Sequence, residues 1–328
     1  MERREFITLI GTATCWPSSG WAQHSVDTPL VGVFWGGITE GTPEANAAIA
    51  TLANKLRDLG WPREKLRFEH RWFLAGSQQS SELAKELVRL RPDVVVVNST
   101  PLLAALESQS RTIPIVFVRV ADPVGQGFVQ SLARPGGNAS GFTNFEFSMG
   151  GKWLELIQKV APDTEQVGII FNPNTVPYAY FLKSIESAAP LLALKLIPSP
   201  VRSVDDIEAK VAAFAQKSGS GLLILPDIFN IEHRALIIRL AAQCALPTIY
   251  PYGLFAKDGG LISYGIDPIA IYSDAATYVD RILRGGKPAD LPVQAPTKFE
   301  LIINLKTAKA LGLNMPTALL ASADEVIE

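Results

Sequence analysis

Four consecutive β-branched residues, Val94-Val95-Val96-Val97, lie between Pro92-Asp93 and Asn98-Ser99-Thr100-Pro101. A strand shows an uninterrupted apolar run of this kind when both of its faces are buried; a strand with one wet face alternates instead. Strands buried on both faces belong to parallel sheets covered by helices, so this run restricts the chain to an α/β architecture. Its neighbours agree. Leu30-Val31-Gly32-Val33-Phe34-Trp35 and residues 113–120 are further apolar runs, and residues 66–73 alternate as a strand. After the first run Ala45, Ala48, Ile49, Leu52, Ala53, Leu56 and Leu59 recur on one face of a 3.6-residue period, stopped by Gly60 and Pro62. Residues 80–90 and 101–110 carry the same helical period.

The order pauses at Arg134-Pro135-Gly136-Gly137-Asn138, a turn-forming cluster, and then restarts. Residues 167–171, 195–197, 222–225 and 247–250 read as strands, separated by helical stretches over 153–160, up to about 192, 204–216 and 232–245. The tail adds a strand at 261–264, a helix face of Ile271, Ala275, Tyr278, Val279 and Ile282, a turn at Gly285-Gly286-Lys287-Pro288, a strand at 299–304 and a helix at 306–311. A chain of 328 residues exceeds what one hydrophobic core usually serves. The sequence therefore predicts two Rossmann-like, doubly wound parallel-sheet lobes joined by a hinge that the chain crosses several times. Residues 27–141 with about 262–290 are expected to form the N-terminal lobe, and 142–261 with about 291–328 the C-terminal lobe.

Composition narrows the partners. Net charge is −2 and no basic stripe stands out, which argues against a nucleic-acid partner. His24, His70 and His233 are too scattered for a zinc site. Cys244 sits in an apolar stretch and reads as a buried thiol. Residues 1–22 read as a removable export segment: Arg3-Arg4 precede an uncharged run, and Gly20-Trp21-Ala22 puts small residues where a signal peptidase reads. Arg3-Arg4-Glu5-Phe6-Ile7 resembles a twin-arginine signal, so both that route and the general one stand open.

Ligands of parallel α/β sheets bind beyond the carboxyl ends of the strands, and those ends are polar and aromatic here. Ser99 and Thr100 form an N-cap with Pro101 following, a plain helix start that also offers hydroxyls and amides to a carboxylate. Asn174 and Thr175 make a second such end. Asp122, Asp227 and Asp267 are turn or cap residues that are also candidates for pairing a ligand ammonium. Trp35, Tyr252 and Tyr264, with Gly36 beside the first, are candidates for a stacking wall or for lobe core. The chain has no G-x-S-x-G, C-x-x-C, Walker or G-x-G-x-x-G pattern, so no catalytic or dinucleotide site is expected.

Ala121-Asp122-Pro123-Val124-Gly125, the stretch Leu132-Ala133-Arg134-Pro135-Gly136-Gly137-Asn138-Ala139-Ser140-Gly141 and Lys287-Pro288-Ala289-Asp290-Leu291-Pro292-Val293 resemble the ABC-importer substrate-binding protein family that includes tryptophan and tyrosine binders. The resemblance extends over nearly the whole chain. It implies the type I periplasmic binding fold and a small-molecule ligand, an amino acid or an aromatic acid, in an interlobe cleft. It also implies an ABC permease as partner, a monomer in the periplasm, no cofactor and no catalysis. Ser99, Thr100 and Asp227 match cleft-facing positions of the family, while Trp35-Gly36-Gly37 and Asn172-Pro173-Asn174-Thr175 fall in its variable loops. A periplasmic sensor and an exported hydrolase or isomerase with an interlobe site are the competing expectations.

Overall fold

A computed structural model describes residues 28–75 and 79–328. The export segment expected over 1–22 lies outside the described residues.

The first half alternates β1 (Leu30–Gly36), α1 (Pro43–Asp58), β2 (Arg67–Phe73), α2 (Ser80–Arg89), β3 (Val94–Val97), α3 (Thr100–Gln109), β4 (Ile115–Val120) and β5 (Ala139–Thr143). The five strands form a parallel sheet ordered β2-β1-β3-β4-β5. Every residue of β1, β3 and β4 is buried, as their apolar runs require, and so is every residue of the more polar β5.

The second half continues with α4 (Met149–Val160), β6 (Gln166–Phe171), α5 (Tyr178–Ala188), β7 (Lys195–Pro200), α6 (Val204–Ala215), β8 (Ser220–Ile224), α7 (Ile228–Glu232) and α8 (Arg234–Gln243). It closes with β9 (Thr248–Tyr250), α9 (Gly253–Lys257), β10 (Ile262–Gly265), α10 (Ile271–Leu283), β11 (Glu300–Asn304), α11 (Leu305–Ala310), α12 (Thr317–Ala321) and β12 (Glu325–Ile327). Its seven-stranded sheet runs β12-β11-β10-β9-β8-β6-β7, parallel except where β10 meets β11.

Two lobe assignments differ from the sequence expectation. Residues 262–265 were expected with the first lobe, but β10 pairs with β9 and β11 in the second sheet. Residues 291–294 were expected with the second lobe. They run beside β5 instead, where Gln294 N–H donates to Gly141 O at 2.9 Å, Thr143 N–H donates to Gln294 O at 2.9 Å, and Ser140 Oγ donates to Leu291 O at 2.5 Å. The helix between these segments, α10, does belong to the first lobe, packing on α1 and on β3, β4 and β5. Trp61 Nε1 donates to Asp280 Oδ1 at 2.8 Å and fastens the end of α1 to it. The chain thus crosses between the sheets over 144–148, 266–270 and 295–299. Cys244, expected buried, is half-buried.

Each lobe has its own apolar cluster, and a third runs through both, joining Val31 and Trp35 of the first lobe to Ile224, Phe229 and Tyr252 of the second. The lobes are therefore closed on one another. Among the described residues no helix is long and apolar enough to cross a membrane.

Candidate ligand-binding cleft

The carboxyl ends of β1, β3 and β4 face those of β6, β8 and β9. Between them lies a central cavity of about 20 Å³, lined among others by Ser99, Thr100, Arg119, Asn144, Asp227 and Tyr252. Arg119 and Ile231 also line a larger cavity of about 390 Å³ on one side, with Ile38, Glu232, Leu254 and Asp267. A third cavity, of about 520 Å³, opens on the other side along Thr100, Asp122, Asn174, Thr175 and Tyr180.

Arg119 is the one charged residue of the otherwise apolar β4, and only 6% of it is exposed. The pairing of β4 with β5 slips between Val118 and Val120, and Arg119 sits at that slip with φ of 56°, in the left-handed region that side chains rarely adopt. The bulge turns the guanidinium out of the sheet's alternation and into the cleft. There it lies 5.8 Å from the centre of the Tyr252 ring, and Nη2 donates to Asn98 O at 3.4 Å. Nε has no partner, and no acidic side chain forms an ion pair with it among the described residues.

Asp227 caps α7. Its Oδ1 accepts from Phe229 N–H and from the Thr175 hydroxyl, both at 2.7 Å, and its Oδ2 accepts from Asn172 N–H at 2.6 Å. It therefore holds the 172–175 loop against the start of α7. Burial pushes its carboxyl up to about 6, against the pull of those hydrogen bonds.

Two polar contacts clasp the lobes beside the larger cavity. Glu232, at the end of α7, accepts from Ala75 N–H of the first lobe at 2.7 Å and 2.9 Å through its two oxygens. Arg234 Nη2 pairs with Glu44 Oε1 at 2.9 Å. Gly37, with φ of +70°, lets the β1–α1 loop lie on α7; a Cβ there would stand 3.0 Å from that of Ile228. Burial raises the Glu232 carboxyl to about 7, helped by the nearby Asp227 charge and opposed by the Ala75 and Gly37 amides. Opening the lobes exposes this carboxyl and returns it toward its ordinary 4.5, so closing takes up a proton between those two values. Closure is expected to weaken as pH rises through about 7, and Glu232→Gln is expected to flatten that dependence. Small-angle scattering of wild type and variant across pH 5–8 checks it, and equal pH profiles for the two would refute it.

A family model described as ABC transporter substrate binding protein matches residues 42–327. The chain belongs to that family. It is 26% identical over 239 residues to a tyrosine-binding protein of Clostridioides difficile, covering 73% of this chain and 68% of that one. A conserved domain protein from Vibrio cholerae shares 29% identity at a TM-score of 0.84, over 91% of this chain and 99% of that one. A Streptococcus pneumoniae ABC domain in complex with L-Trp shares 22% identity at a TM-score of 0.84, over 92% and 100%.

Not every residue expected at the site of this substrate-binding protein faces the cleft. Trp35 is fully buried inside the first lobe, stacked on Trp72 at 5.2 Å and against Tyr272 at 5.3 Å, with Nε1 donating to His70 Nδ1 at 2.9 Å. Gly36 exchanges backbone hydrogen bonds with the Asn98 side chain at 2.7 Å and 3.2 Å, tying β1 to β3 behind the cleft. Tyr264 stacks on Phe299 at 5.7 Å and lines none of the three cavities. All three sit at strand ends, but the side chains of Trp35 and Tyr264 pack into a lobe and Gly36 has none to offer. Ser99, Thr100, Thr175, Asp227 and Tyr252 meet at the central cavity, and Asp122 and Asn174 lie on the outer one. Asp122 also accepts from Gly125 N–H at 3.0 Å in a turn, and Asp267 accepts from the amides of Ile269 and Ala270 at 2.7 Å and 3.1 Å where the chain enters the hinge.

Arg119, Asn144 and Glu232 were not singled out in the sequence. Arg119 did leave a signal: one cation inside Ile115-Val116-Phe117-Val118-Arg119-Val120, a run otherwise fit for burial on both faces.

Proposed function

We propose that this substrate-binding protein captures a small carboxylate, an amino acid or an aromatic acid, between its lobes in the periplasm and presents the closed form to an ABC permease. The observation that carries the reading is the buried Arg119 guanidinium, which lines two neighbouring interlobe cavities without a counter-anion among the described residues. The larger cavity, about 390 Å³, lies within the usual range for small-molecule sites. The names of the relatives, one a tyrosine-binding protein and one a complex with L-Trp, support the same class. Binding proceeds without turnover.

A ligand favours closure only through contacts that it makes better in the closed form. A thermal-shift screen of amino acids, aromatic acids and sugars is therefore the test. At 100-fold excess over Kd the stabilisation is about 2.7 kcal/mol, a shift of several degrees. Shifts are expected with aromatic or branched amino acids or with aryl carboxylates. Shifts with sugars alone would overturn the carboxylate reading, and steady product formation from any ligand would overturn binding without turnover.

A further inference from the structure

Outside the interlobe cleft a fourth cavity, of about 480 Å³, lies against the hinge. Its lining comes from α10, from residues 292–298 and from the crossing over 266–270. Tyr278 Oη donates to Pro292 O at 2.5 Å, Gln294 Nε2 donates to Tyr278 Oη at 3.2 Å, and the Tyr278 ring packs on Phe142 at 4.7 Å. These contacts hold 292–294 to α10, so the cavity is preformed. Asp267 and Glu300 line it and also line the 390 Å³ interlobe cavity. The crossings over 266–270 and 295–299 thus have a cavity on each side, the interlobe one within and this one outside.

Five charged side chains line the outer cavity: Asp267, Asp274, Arg281, Lys298 and Glu300. Among the described residues none of them forms an ion pair. One turn past Arg281, by contrast, Arg284 pairs with Asp280 at 2.6 Å. Asp274 and Arg281 are seven residues apart on α10, which puts them on one face and roughly 10 Å apart along the axis. Thr277 and Tyr278, which fall between them on that face, line the cavity too. Acid in the first turn and base in the last suit the helix dipole, and this fixes the polarity of the wall. The hinge reinforces its acidic end. Asp267 lies just ahead of α10, beside Glu300, whose carboxyl is raised by burial and further by the Asp267 charge, against the pull of Lys298. At the other end the Arg281 guanidinium lies 5.8 Å from the centre of the Tyr278 ring. The cavity is therefore acidic toward the hinge and basic at the far end of α10, with an apolar lining from Phe142, Pro292 and Pro296.

We infer that this hinge cavity is an effector site for a short dipolar molecule, one that carries a cation and an anion roughly 10 Å apart on an apolar chain. The cationic end lies among Asp267, Asp274 and Glu300, and the anionic end meets Arg281. An acid or an amine alone satisfies only one end. The site is separate from capture in the cleft, and the hinge is what links the two. A molecule held against both crossings in their closed arrangement favours that arrangement, and by reciprocity it strengthens the ligand on which the cleft closes.

The test is a series of ω-amino acids, 4-aminobutyrate, 6-aminohexanoate and 8-aminooctanoate, measured by calorimetry beside octanoate and octylamine. 8-Aminooctanoate comes nearest to the required span and should bind best. Loss of either of its charges should weaken it by about 10-fold or more, the worth of one hydrogen bond to a charged group. Arg281→Gln and Asp274→Asn should each weaken it by a similar factor. Both side chains are exposed, so the variants keep the fold, and their thermal shifts with cleft ligands should be those of the wild type. Small-angle scattering at pH 8, where closure is weakest, should show compaction when 8-aminooctanoate saturates the wild-type protein.

A Kd above about 1 mM for all three amino acids would overturn the site, as would affinities that neither variant changes. Octanoate or octylamine binding as well as 8-aminooctanoate would overturn the dipolar ligand. Binding without compaction would overturn the effector role. None of these outcomes touches capture in the cleft, which rests on Arg119.

Discussion

Trp35→Ala is expected to destabilise the protein by about 3–5 kcal/mol, the usual range for deleting a large buried aromatic. The indole is fully buried between β2 and α10, and its removal leaves a cavity walled by Trp72 and Tyr272. Neither wall can collapse freely. Trp72 is fixed by the β1–β2 register, where it pairs with position 35 itself, and Tyr272 by the packing of α10 on the sheet. The variant also strips His70 Nδ1 of the hydrogen bond that it accepts. Urea unfolding should show a lower midpoint with an unchanged slope, and ligand preference in the folded fraction should be that of the wild type. A loss below about 1 kcal/mol together with altered ligand preference would return Trp35 to the cleft wall.

The second large effect is on pH dependence. Asp227 has a carboxyl near 6 in the folded chain against 3.8 for an ordinary aspartate. A group with a raised folded value stabilises the native state most fully below its unfolded value, and that contribution is lost as pH rises through the folded one. The difference corresponds to about 3 kcal/mol lost between roughly pH 4 and pH 6. Asp227→Asn cannot ionise and should lack this loss. It also has a single acceptor oxygen for the two amides of Asn172 and Phe229, which bond to separate oxygens of the native carboxylate. One amide is left unpaired, a pH-independent penalty of about 1–3 kcal/mol. The measurement is the stability difference between the two proteins at several pH values, which removes the titration of every other carboxylate. The wild type should be the more stable by that penalty at pH 4, lose about 3 kcal/mol relative to the variant by pH 7 and end level with it or below it; a constant difference would refute the buried-carboxyl account.

The alternation of strands and helices was legible because a strand buried on both faces writes an apolar run and an amphipathic helix writes a 3.6-residue stripe, each within a few residues. Val94–Val97 and the face from Ala45 to Leu56 occur in the structure as they read. What escaped was weaker locally. Strand β5 carries Ser140 and Gly141 and writes no apolar run, but its position on β4 needs a residue without a side chain: a Cβ at Gly141 would stand 1.9 Å from Phe117 O. The stretch 228–245, read as one helix beginning near 232, is two, broken at His233 with α7 capped by Asp227.

The candidate site divides along the same line. Strand ends mark where a cleft must lie, so Ser99, Thr100, Thr175, Asp227 and Tyr252 could be placed there from order alone. Which strand-end side chains turn inward is not a local property. Trp35 and Tyr264 are taken into the lobes by α10 and by Phe299, residues far along the chain, whereas Arg119 is delivered to the cleft by a one-residue slip against β5.

By itself, then, the sequence determined two parallel sheets, their helical cover and the edge where a ligand sits, because these follow from burial within single elements. Only the tertiary structure decided that β10 joins the second sheet while 291–294 stay with the first, and that the cleft is charged by Arg119. Those choices rest on hydrogen bonds and packing between segments far apart in the chain, and no local run of residues records them.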